Sequence, residues 1–396
     1  MTASPATPYV RDRFTWLAYL MIAFGTYGIT ALSPFMPFLA AELGMNYAVR
    51  GLHTSAFAIA GIILGLLADR IAHRVPRSTL VWLGSGGLAA ASLLIVGGQS
   101  PALTIGGAFL MGFFGTLMLV MTQAAMSDHL GAHRSIGINE SNLGASVAGL
   151  FAPLLISQFA AMALGWRVAI LLIPVAWGVL FLWGRRIAIP SQPAAAPSLP
   201  VNRTRLPRLY WLFWMMMAIG VMIEWSVSFW SPEFFERELG VDRVTAAGTL
   251  TFFWLALITG RLIGSVLSRR FPPTVLLLAA AILVAAAFPV LWLANEPAVG
   301  MVALFVMSLG IANFFPMTLA AALGAGSNNI NAAAARVALA NGIAILIAPQ
   351  LLGSIADQTG INTAYGMIAV LALTMLALGG YALWTQRRRS PELLSA

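Results

Sequence analysis

Two carboxylates interrupt stretches of the sequence that are otherwise apolar. Glu224 lies in the middle of one stretch, and Glu140 lies near the start of another. A charged side chain within hydrocarbon costs at least ~2.5 kcal/mol, so an acid that is kept there needs a reason. A carboxyl group in apolar surroundings can take up a proton and lose its charge. We therefore predict that Glu224 binds a proton or a polar ligand.

Amides, hydroxyls and aromatic rings in the apolar stretches are further candidates. Such groups either bind a ligand or form hydrogen bonds between neighbouring helices. Ser228 lies one helical turn from Glu224 on the same face, and the ring of Trp225 could form a cavity wall. The candidates for proton coupling or substrate binding are Glu224, Tyr27, Asn313, Trp225, Ser228 and Asn341.

The composition places these residues in a membrane protein. Of the 396 residues, 60% are hydrophobic and 9% are charged, whereas soluble domains have about 25% charged residues. The apolar residues form twelve blocks, each near the roughly 20 residues that cross a bilayer. The predicted spans are residues 15–39, 48–68, 79–97, 102–125, 137–161, 166–184, 209–234, 245–266, 274–293, 298–322, 334–355 and 362–384.

Several classes of function lack the residues that they need. The chain contains no cysteine, which excludes disulfides and thiolate zinc sites. It contains neither a Walker A sequence nor Gly-x-Ser-x-Gly, so ATP-driven transport and serine hydrolysis have no support. We expect no enzyme activity, no metal site and no cofactor.

The placement of the basic residues predicts the orientation. All 22 are arginine, and with the N-terminus inside, 16 fall in inside segments and 4 in outside segments. Because cytoplasmic loops carry the excess of basic residues, both termini are predicted to be cytoplasmic. The membrane is predicted to be the inner membrane of the cell. The net charge of +9 is then a topology signal, so nucleic acid is not an expected partner. The expected partners are a small-molecule substrate, protons and lipid, and the protein is expected to be a monomer.

The two halves of the chain resemble each other. Ala-Glu-Leu-Gly at 41–44 recurs as Arg-Glu-Leu-Gly at 237–240, and Ala-Pro-Leu-Leu at 152–155 recurs as Ala-Pro-Gln-Leu at 348–351. Both pairs of segments are offset by 196 residues. Two six-span halves with a binding site between them are the plan of many secondary transporters.

The repeat and the longest polar stretch predict the domain organisation. We expect an N-terminal six-helix half at 1–186, a Pro-rich cytoplasmic linker at 187–208 and a C-terminal six-helix half at 209–396.

A motif after the second predicted span resembles that of a known family. The chain has Gly65-x-x-x-Asp69-Arg70, followed by Ala72 and His73. This is similar to the Gly-x-x-x-Asp-Arg-x-Gly-Arg-Arg/Lys signature of the major facilitator superfamily, with Ala72 and His73 in place of Gly and Arg. The resemblance extends to the twelve spans, the division into halves and the central loop.

The resemblance implies an all-α membrane protein of twelve transmembrane helices in two pseudo-symmetric six-helix halves, which is the MFS fold. Spans 1, 4, 7 and 10 usually line the cavity in this superfamily, which favours Tyr27, Glu224 and Asn313. It also implies that Asp69 caps a helix end or pairs with another helix and so holds the outward-open form.

Charged residues near the predicted cytoplasmic ends of spans are candidates for gating. Glu140 and Arg336 are separated by the repeat offset of 196 residues, so an ion pair between them could close the inner side. Arg261 is expected either to anchor at the lipid headgroups or to pair with a neighbouring span. The gating candidates are Glu140, Arg336, Asp69, Arg70 and Arg261.

Two branches of the superfamily compete for the function. Drug/proton antiporters carry Gly-x-x-x-Gly-Pro-x-x-Gly-Gly in span 5, and here Pro153 lacks the flanking glycines. The segments 224–230 and 259–264 are more similar to the fucose-permease-like sugar branch. The predicted function is therefore proton-coupled symport of a small, sugar-like polar solute by alternating access, and the alternative is a drug/proton efflux antiporter.

Two further expectations limit the function. No arginine is expected at the midplane, so a dianionic solute fits poorly. A receptor-like sensor would need a soluble signalling domain, which the sequence does not show.

Overall fold

The fold is built entirely from helices in the part of the chain that the structure describes. The structure is a computed structural model, and it describes residues 9–190, 206–325 and 330–389. These residues form thirteen α-helices and a 3₁₀ turn at Gly131–His133. The helices are α1 Arg13–Leu43, α2 Tyr47–Ala72, α3 Arg77–Gly97, α4 Pro101–Leu130, α5 Arg134–Ala161, α6 Trp166–Gly184, α7 Arg208–Arg237, α8 Arg243–Leu267, α9 Pro273–Trp292, α10 Pro297–Ala325, α11 Ile330–Thr359, α12 Ile361–Tyr365 and α13 Met367–Arg389.

The twelve predicted spans are confirmed. Within the described ranges, twelve helical segments are long and apolar enough to cross a membrane, and α12 and α13 together form the last of them. Most helices extend several residues beyond the predicted spans because helical structure continues past the apolar stretch. Helix α2 continues to Ala72, so Arg70 lies in its last turn and not in a loop. The predicted domain boundaries stay predictions.

Polar residues cap the helices at both ends of the molecule. The carboxylate of Asp12 accepts a hydrogen bond of 2.8 Å from the backbone N–H of Thr15 at the start of α1. The carboxylate of Asp242 does the same for Val244 and Thr245 at the start of α8. Hydrogen bonds from Thr245 lower the pKa of Asp242, so this cap is charged at neutral pH. Both caps satisfy amides that a helix start leaves unpaired.

Contacts between side chains show which helix ends lie together. Arg77 at the start of α3 donates to Asp128 near the end of α4 at 2.8 Å, and Arg11 before α1 donates to Glu140 near the start of α5. We call the end of the bundle that holds these contacts the terminal end. The opposite end, where α1 is followed by α2, is the far end.

Each half has a core of large apolar side chains. In the N-terminal half, Phe35 of α1 stacks on Trp166 of α6 with 5.2 Å between ring centroids. In the C-terminal half, Phe234 of α7 stacks on Tyr365 of α12 at 4.5 Å. The two halves meet where α2 packs against α11, α5 against α8 and α1 against α7. The buried apolar side chains of the two halves form one cluster that continues across this seam.

A close approach of α8 to α10 fixes one wall of the seam. A Cβ atom on Gly260 would lie 2.6 Å from the carbonyl oxygen and 3.0 Å from the Cα atom of Leu309. The side-chain N–H of Asn313 in α10 donates to the carbonyl of Gly260 at 3.1 Å. A small residue at such a crossing allows the two backbones to touch.

The far end is closed by a cap that one half provides for the other. The carboxylate of Asp357, at the end of α11, accepts hydrogen bonds from the backbone N–H groups of Tyr47 at 2.8 Å and Ala48 at 2.9 Å. These residues begin α2, where the amides are otherwise unpaired and the helix dipole favours an anion. The start of α2 is therefore held by the opposite half.

A buried ion pair also crosses between the halves at the far end. Arg50 of α2 and Glu233 of α7 approach to 2.6 Å, with 10% and 4% of their side chains exposed. Arg237 adds a second contact to Glu233 at 3.1 Å. Removing one partner of a buried pair typically costs about 3–5 kcal/mol because the remaining charge has lost its counterion. This pair therefore stabilises the closed far end.

Hydroxyl groups extend the closure along the seam. Ser157 of α5 donates to the carbonyl of Val244 in α8 at 2.9 Å, and Ser33 of α1 donates to the carbonyl of Ser228 in α7. The far end is thus closed at α1/α7, α2/α7, α2/α11 and α5/α8.

Replacing Gly260 by alanine is predicted to lower the stability of the protein. The added Cβ meets the α10 backbone, and such overpacking costs about 1–3 kcal/mol. The melting temperature of the purified protein, followed by tryptophan fluorescence, should fall. Gly65→Ala is the matched control because a Cβ there meets nothing within 4 Å. Equal melting temperatures for the two variants would contradict this account of the crossing.

Replacing Glu233 by glutamine is predicted to open the far end. Arg50 would keep its charge without a full counterion, and water entry would relieve that cost. Because the chain has no cysteine, the substitutions Gln99→Cys and Asn295→Cys introduce the only two cysteines, and nitroxide labels attach to these alone. These exposed positions lie at the far end in opposite halves. Pulsed electron paramagnetic resonance should show a longer distance between the two labels in the Glu233→Gln variant than in the wild type.

The control for this measurement is Glu236→Gln. Glu236 pairs with Arg243 at 2.8 Å, also at the far end, but both residues belong to the C-terminal half. Its loss should leave the distance between the halves unchanged. A far-end distance in the Glu233 variant that equals the wild-type distance would show that the buried pair does not hold this end closed.

Candidate functional site

Two cavities lie in the seam between the halves. The larger, which we call the open cavity, has a volume of about 740 Å³ and is lined by residues of α1, α5, α8 and α10. The smaller, which we call the closed cavity, has a volume of about 70 Å³ and is lined by α1, α2, α7 and α8. The open cavity faces the terminal end, because its exposed wall residues lie near the start of α5 and the end of α8. Trp254 of α8 lines both cavities.

One face of α8 forms a wall of the open cavity. The lining residues Trp254, Ile258, Arg261, Ser265 and Ser268 are spaced alternately by four and three residues, which places them along one side of a helix. This stripe is readable in the sequence, and it would have identified Trp254 as a site residue beside Arg261.

The facing wall comes from α5. Asn139, Asn142, Leu143 and Ser146 line the open cavity, and their spacing of three and four residues again defines one helical face. The amides and the hydroxyl of this face offer both hydrogen-bond donors and acceptors to a ligand. The polar spacing around Glu140 could have identified this wall from the sequence.

Glu224 and Arg261 connect the two cavities. Glu224 lines the closed cavity and Arg261 lines the open cavity. A guanidinium nitrogen of Arg261 lies 3.9 Å from a carboxylate oxygen of Glu224, with 42% and 18% of the side chains exposed. At this distance the two groups attract each other without a direct hydrogen bond. Of the two expectations for Arg261, pairing with a neighbouring span is the one that the structure supports.

This pair corrects the expectation that no arginine lies near the midplane. The Cα atom of Arg261 lies about two turns before the end of α8. Its long side chain extends along the cavity wall to Glu224 in the middle of α7. Hydropathy locates the Cα atom of an arginine and not the direction of its side chain. The argument against a dianionic solute, which rested on the absence of such an arginine, therefore loses its basis.

Trp225 and Ser228 lie with Glu224, as predicted. Both residues line the closed cavity. The ring of Trp225 lies 6.1 Å from that of Phe57 across the seam, and the hydroxyl of Ser228 donates to the carbonyl of Trp225 at 3.4 Å. The structure thus brings these three predicted residues together, and their roles stay predictions.

The other predicted binding residues have different positions. Asn313 lines the open cavity, but its side-chain N–H groups are used by the carbonyls of Gly260 and Leu309. Neither Tyr27 nor Asn341 lines either cavity. The hydroxyl of Tyr27 donates to the carbonyl of Ala169 in α6 at 2.9 Å, which is a contact within the N-terminal half. The periodicity of α1 does not fix its rotation, so the sequence could not exclude this orientation.

Glu140 is neutralised by a residue other than the predicted one. Arg11 donates to its carboxylate at 2.8 Å, and the hydroxyls of Tyr19 and Tyr9 donate at 2.8 and 3.2 Å. The guanidinium of Arg336 lies 5.9 Å from the ring centre of Trp211. In this conformation Arg11, and not the expected Arg336, is therefore the partner of Glu140.

The remaining gating candidates are at the end of α2. Arg70 is exposed there. The side chain of Asp69 lies outside the described part of the chain, so its predicted pairing stays a prediction. The buried Arg50–Glu233 pair was missed because each residue lies near a predicted span end, where a charge is ordinary.

Comparisons with known proteins identify the family. The Major Facilitator Superfamily profile matches residues 15–327, and no curated protein matches the sequence. Among solved structures, a peptide transporter in complex with sulfate has a TM-score of 0.78 at 14% identity, covering 94% of both chains. A nucleoside transporter has a TM-score of 0.75 at 13% identity, covering 93% of this chain and 98% of its own.

Two further structures have the same fold. A D-xylose-proton symporter has a TM-score of 0.70 at 14% identity, covering 91% of this chain and 96% of its own. An inward-facing, unoccupied bacterial homolog of the human lysosomal transporter Spinster has a TM-score of 0.71 at 14% identity, covering 95% and 97%. Identities this low show the fold alone. By the family match and the twelve-helix architecture, this chain belongs to the Major Facilitator Superfamily and is a membrane transporter.

Proposed function

We propose that this transporter moves a small polar organic solute and protons together in the same direction by alternating access. The observation that carries the proposal is the position of Glu224. Its carboxylate lines the closed cavity in the middle of α7, and its counterion Arg261 lines the open cavity. A carboxyl group at such a boundary can receive a proton from one side and release it to the other.

The charge on Glu224 links the proton to the solute. When Glu224 is charged, it holds the guanidinium of Arg261 by electrostatic attraction. When Glu224 takes up a proton, this attraction is lost and Arg261 becomes available to another acceptor. Proton binding and solute binding then favour each other, because each changes the interactions open to the same guanidinium.

The two ends of the seam support alternating access. The contacts of Asp357, Arg50 and Glu233 close the far end while the open cavity faces the terminal end. A solute bound between α5 and α8 would favour closure of the terminal end and separation of the far end. Asn142 and Ser146 supply polar groups for a hydroxylated solute, and Trp254 supplies a ring face, which suits a sugar-like compound.

We further propose that the terminal end closes through the predicted gating residues. Glu140 would exchange Arg11 for Arg336 of the opposite half, and Asp69 and Arg70 would stabilise one of the two conformations. In the orientation that follows from the arginines, the terminal end is on the cytoplasmic side of the inner membrane, and both termini lie on that side. The protein would act as a monomer, since one chain contains both halves of the site.

Replacing Glu224 by glutamine is predicted to abolish solute-driven proton movement. Glutamine keeps the size of the side chain but cannot exchange a proton. Proteoliposomes that contain a pH-sensitive dye would receive a panel of sugars, sugar acids and lipophilic cations from outside. The wild type should acidify inside with at least one polar solute, and the variant should not. Glu238→Gln, at an exposed position next to α7, should behave as the wild type.

The same measurement separates the alternative functions. Outward proton movement on addition of lipophilic cations would replace symport by drug/proton antiport. Solute flux that is equal in the wild type and in the Glu224 variant, without proton movement in either, would contradict the role given to Glu224.

A further inference from the structure

We propose that the transported solute carries a single negative charge, in the form of a hydroxylated monocarboxylate whose carboxylate binds Arg261. This inference rests on the proposed function and adds the chemical class of the solute. It depends on the charges of the two cavities, on the separation of Glu224 from Arg261 and on the polar wall of α5.

The two cavities contain very few charges. Within the described part of the chain, Arg261 is the one charged residue among those that line the open cavity, and Glu224 is the one charged residue among those that line the closed cavity. The empty site therefore has one positive and one negative group. Its formal charge is zero, so the halves can close around the empty site without burying a net charge.

The loaded site must satisfy the same condition before the halves can rearrange. In the proposed cycle Glu224 takes up a proton and becomes neutral, which leaves Arg261 positive. A neutral solute would leave this charge without a counterion during closure, and a dianion would leave an excess negative charge. A monoanion restores zero charge, because its carboxylate replaces that of Glu224 as the partner of Arg261. Solute and proton then cross together without net charge.

The geometry of Arg261 allows this exchange. Its side chain is 42% exposed and lies 3.9 Å from Glu224, so its N–H donors are not committed to a direct hydrogen bond with that carboxylate. A guanidinium presents a planar set of donors that matches a carboxylate with two parallel hydrogen bonds. By contrast, Arg50 and Arg11 lie 2.6 and 2.8 Å from their acids, which is within direct hydrogen-bond distance.

The rest of the open cavity indicates a hydroxylated body for the solute. Asn142 and Ser146 of α5 line the wall opposite Arg261. The side-chain amide of Asn142 can donate to and accept from alcohol groups. The hydroxyl of Ser146 donates to the backbone carbonyl of Asn142 at 2.9 Å, and its oxygen can accept from an alcohol group. Trp254, between the two cavities, can pack against the carbon skeleton of the solute. A sugar acid combines alcohol groups and a carbon skeleton with the carboxylate that would bind Arg261.

The test compares solutes that differ in the carboxylate alone. Each pair consists of an acid and its neutral counterpart: D-gluconate with D-glucitol, D-glucuronate with D-glucose, and D-glycerate with glycerol. Proton movement into dye-loaded proteoliposomes is recorded for each, with protein-free liposomes as the blank. At least one acid should exceed its counterpart by about tenfold or more, as expected for a charge-assisted hydrogen-bonded pair. Equal rates within all three pairs, including no rate at all, would overturn the inference.

Variants of Arg261 assign the preference to this residue. Arg261→Gln should remove the preference for the acid, and Arg261→Lys should keep part of it, because lysine retains the charge but not the planar set of donors. Arg269→Gln is the control, since Arg269 is also exposed but lies beyond the end of α8. Size-exclusion profiles and melting temperatures would establish that the variants fold. A preference that persists in Arg261→Gln contradicts the inference.

Binding to Glu224→Gln separates this inference from the proposed function. The variant keeps Arg261 and loses the carboxylate that competes for it. The acid should therefore raise the melting temperature of the purified variant at least as much as that of the wild type, although proton coupling is lost. If the variant binds the acid and still couples its movement to protons, the role of Glu224 is refuted but the carboxylate on the solute is not. If the variant loses proton coupling and the wild type prefers neutral solutes, the carboxylate on the solute is refuted but the role of Glu224 is not.

Discussion

A charge inside a bilayer must have a partner, and this requirement organises the whole molecule. Glu42 pairs with Arg167 and Glu236 pairs with Arg243 at the far end, each within one half. Such pairs fix the ends of helices but do not relate the halves to each other. The charges that cross the seam or line its cavities are fewer, and they decide which conformations are available.

The two central pairs differ in a way that matches two tasks. The Arg50–Glu233 pair is short, almost fully buried and joins the two halves, so it favours a single arrangement of the far end. The Glu224–Arg261 pair is longer, partly exposed and lies within the C-terminal half, so its partners can change while the half stays intact. The first pair acts on the position of the halves, and the second acts on what the site contains.

The sequence was sufficient for the architecture and for part of the site. Hydropathy located the twelve spans because length and apolar content alone decide which segments cross a membrane. Glu224 and Ser228 were found together because they are polar residues one helical turn apart in an apolar segment, and Trp225 is the neighbour of Glu224 in the sequence. The rotation of α1, which directs Tyr27 towards α6, depends on packing that no local pattern contains. Arg50 and Glu233 are distant in sequence and become partners only when the halves dock.

The cap that Asp357 places on α2 has a consequence for the order of events when the far end opens. Separation of α11 from α2 removes the acceptor of the Tyr47 and Ala48 amides, while the side chain of Asn46 still accepts from the amide of Val49. The amides of Tyr47 and Ala48 are therefore expected to exchange hydrogen with water in the far-end-open state and to be protected in the closed state. Secondary structure itself would then report the conformation, since one half completes a helix of the other only while the two are in contact.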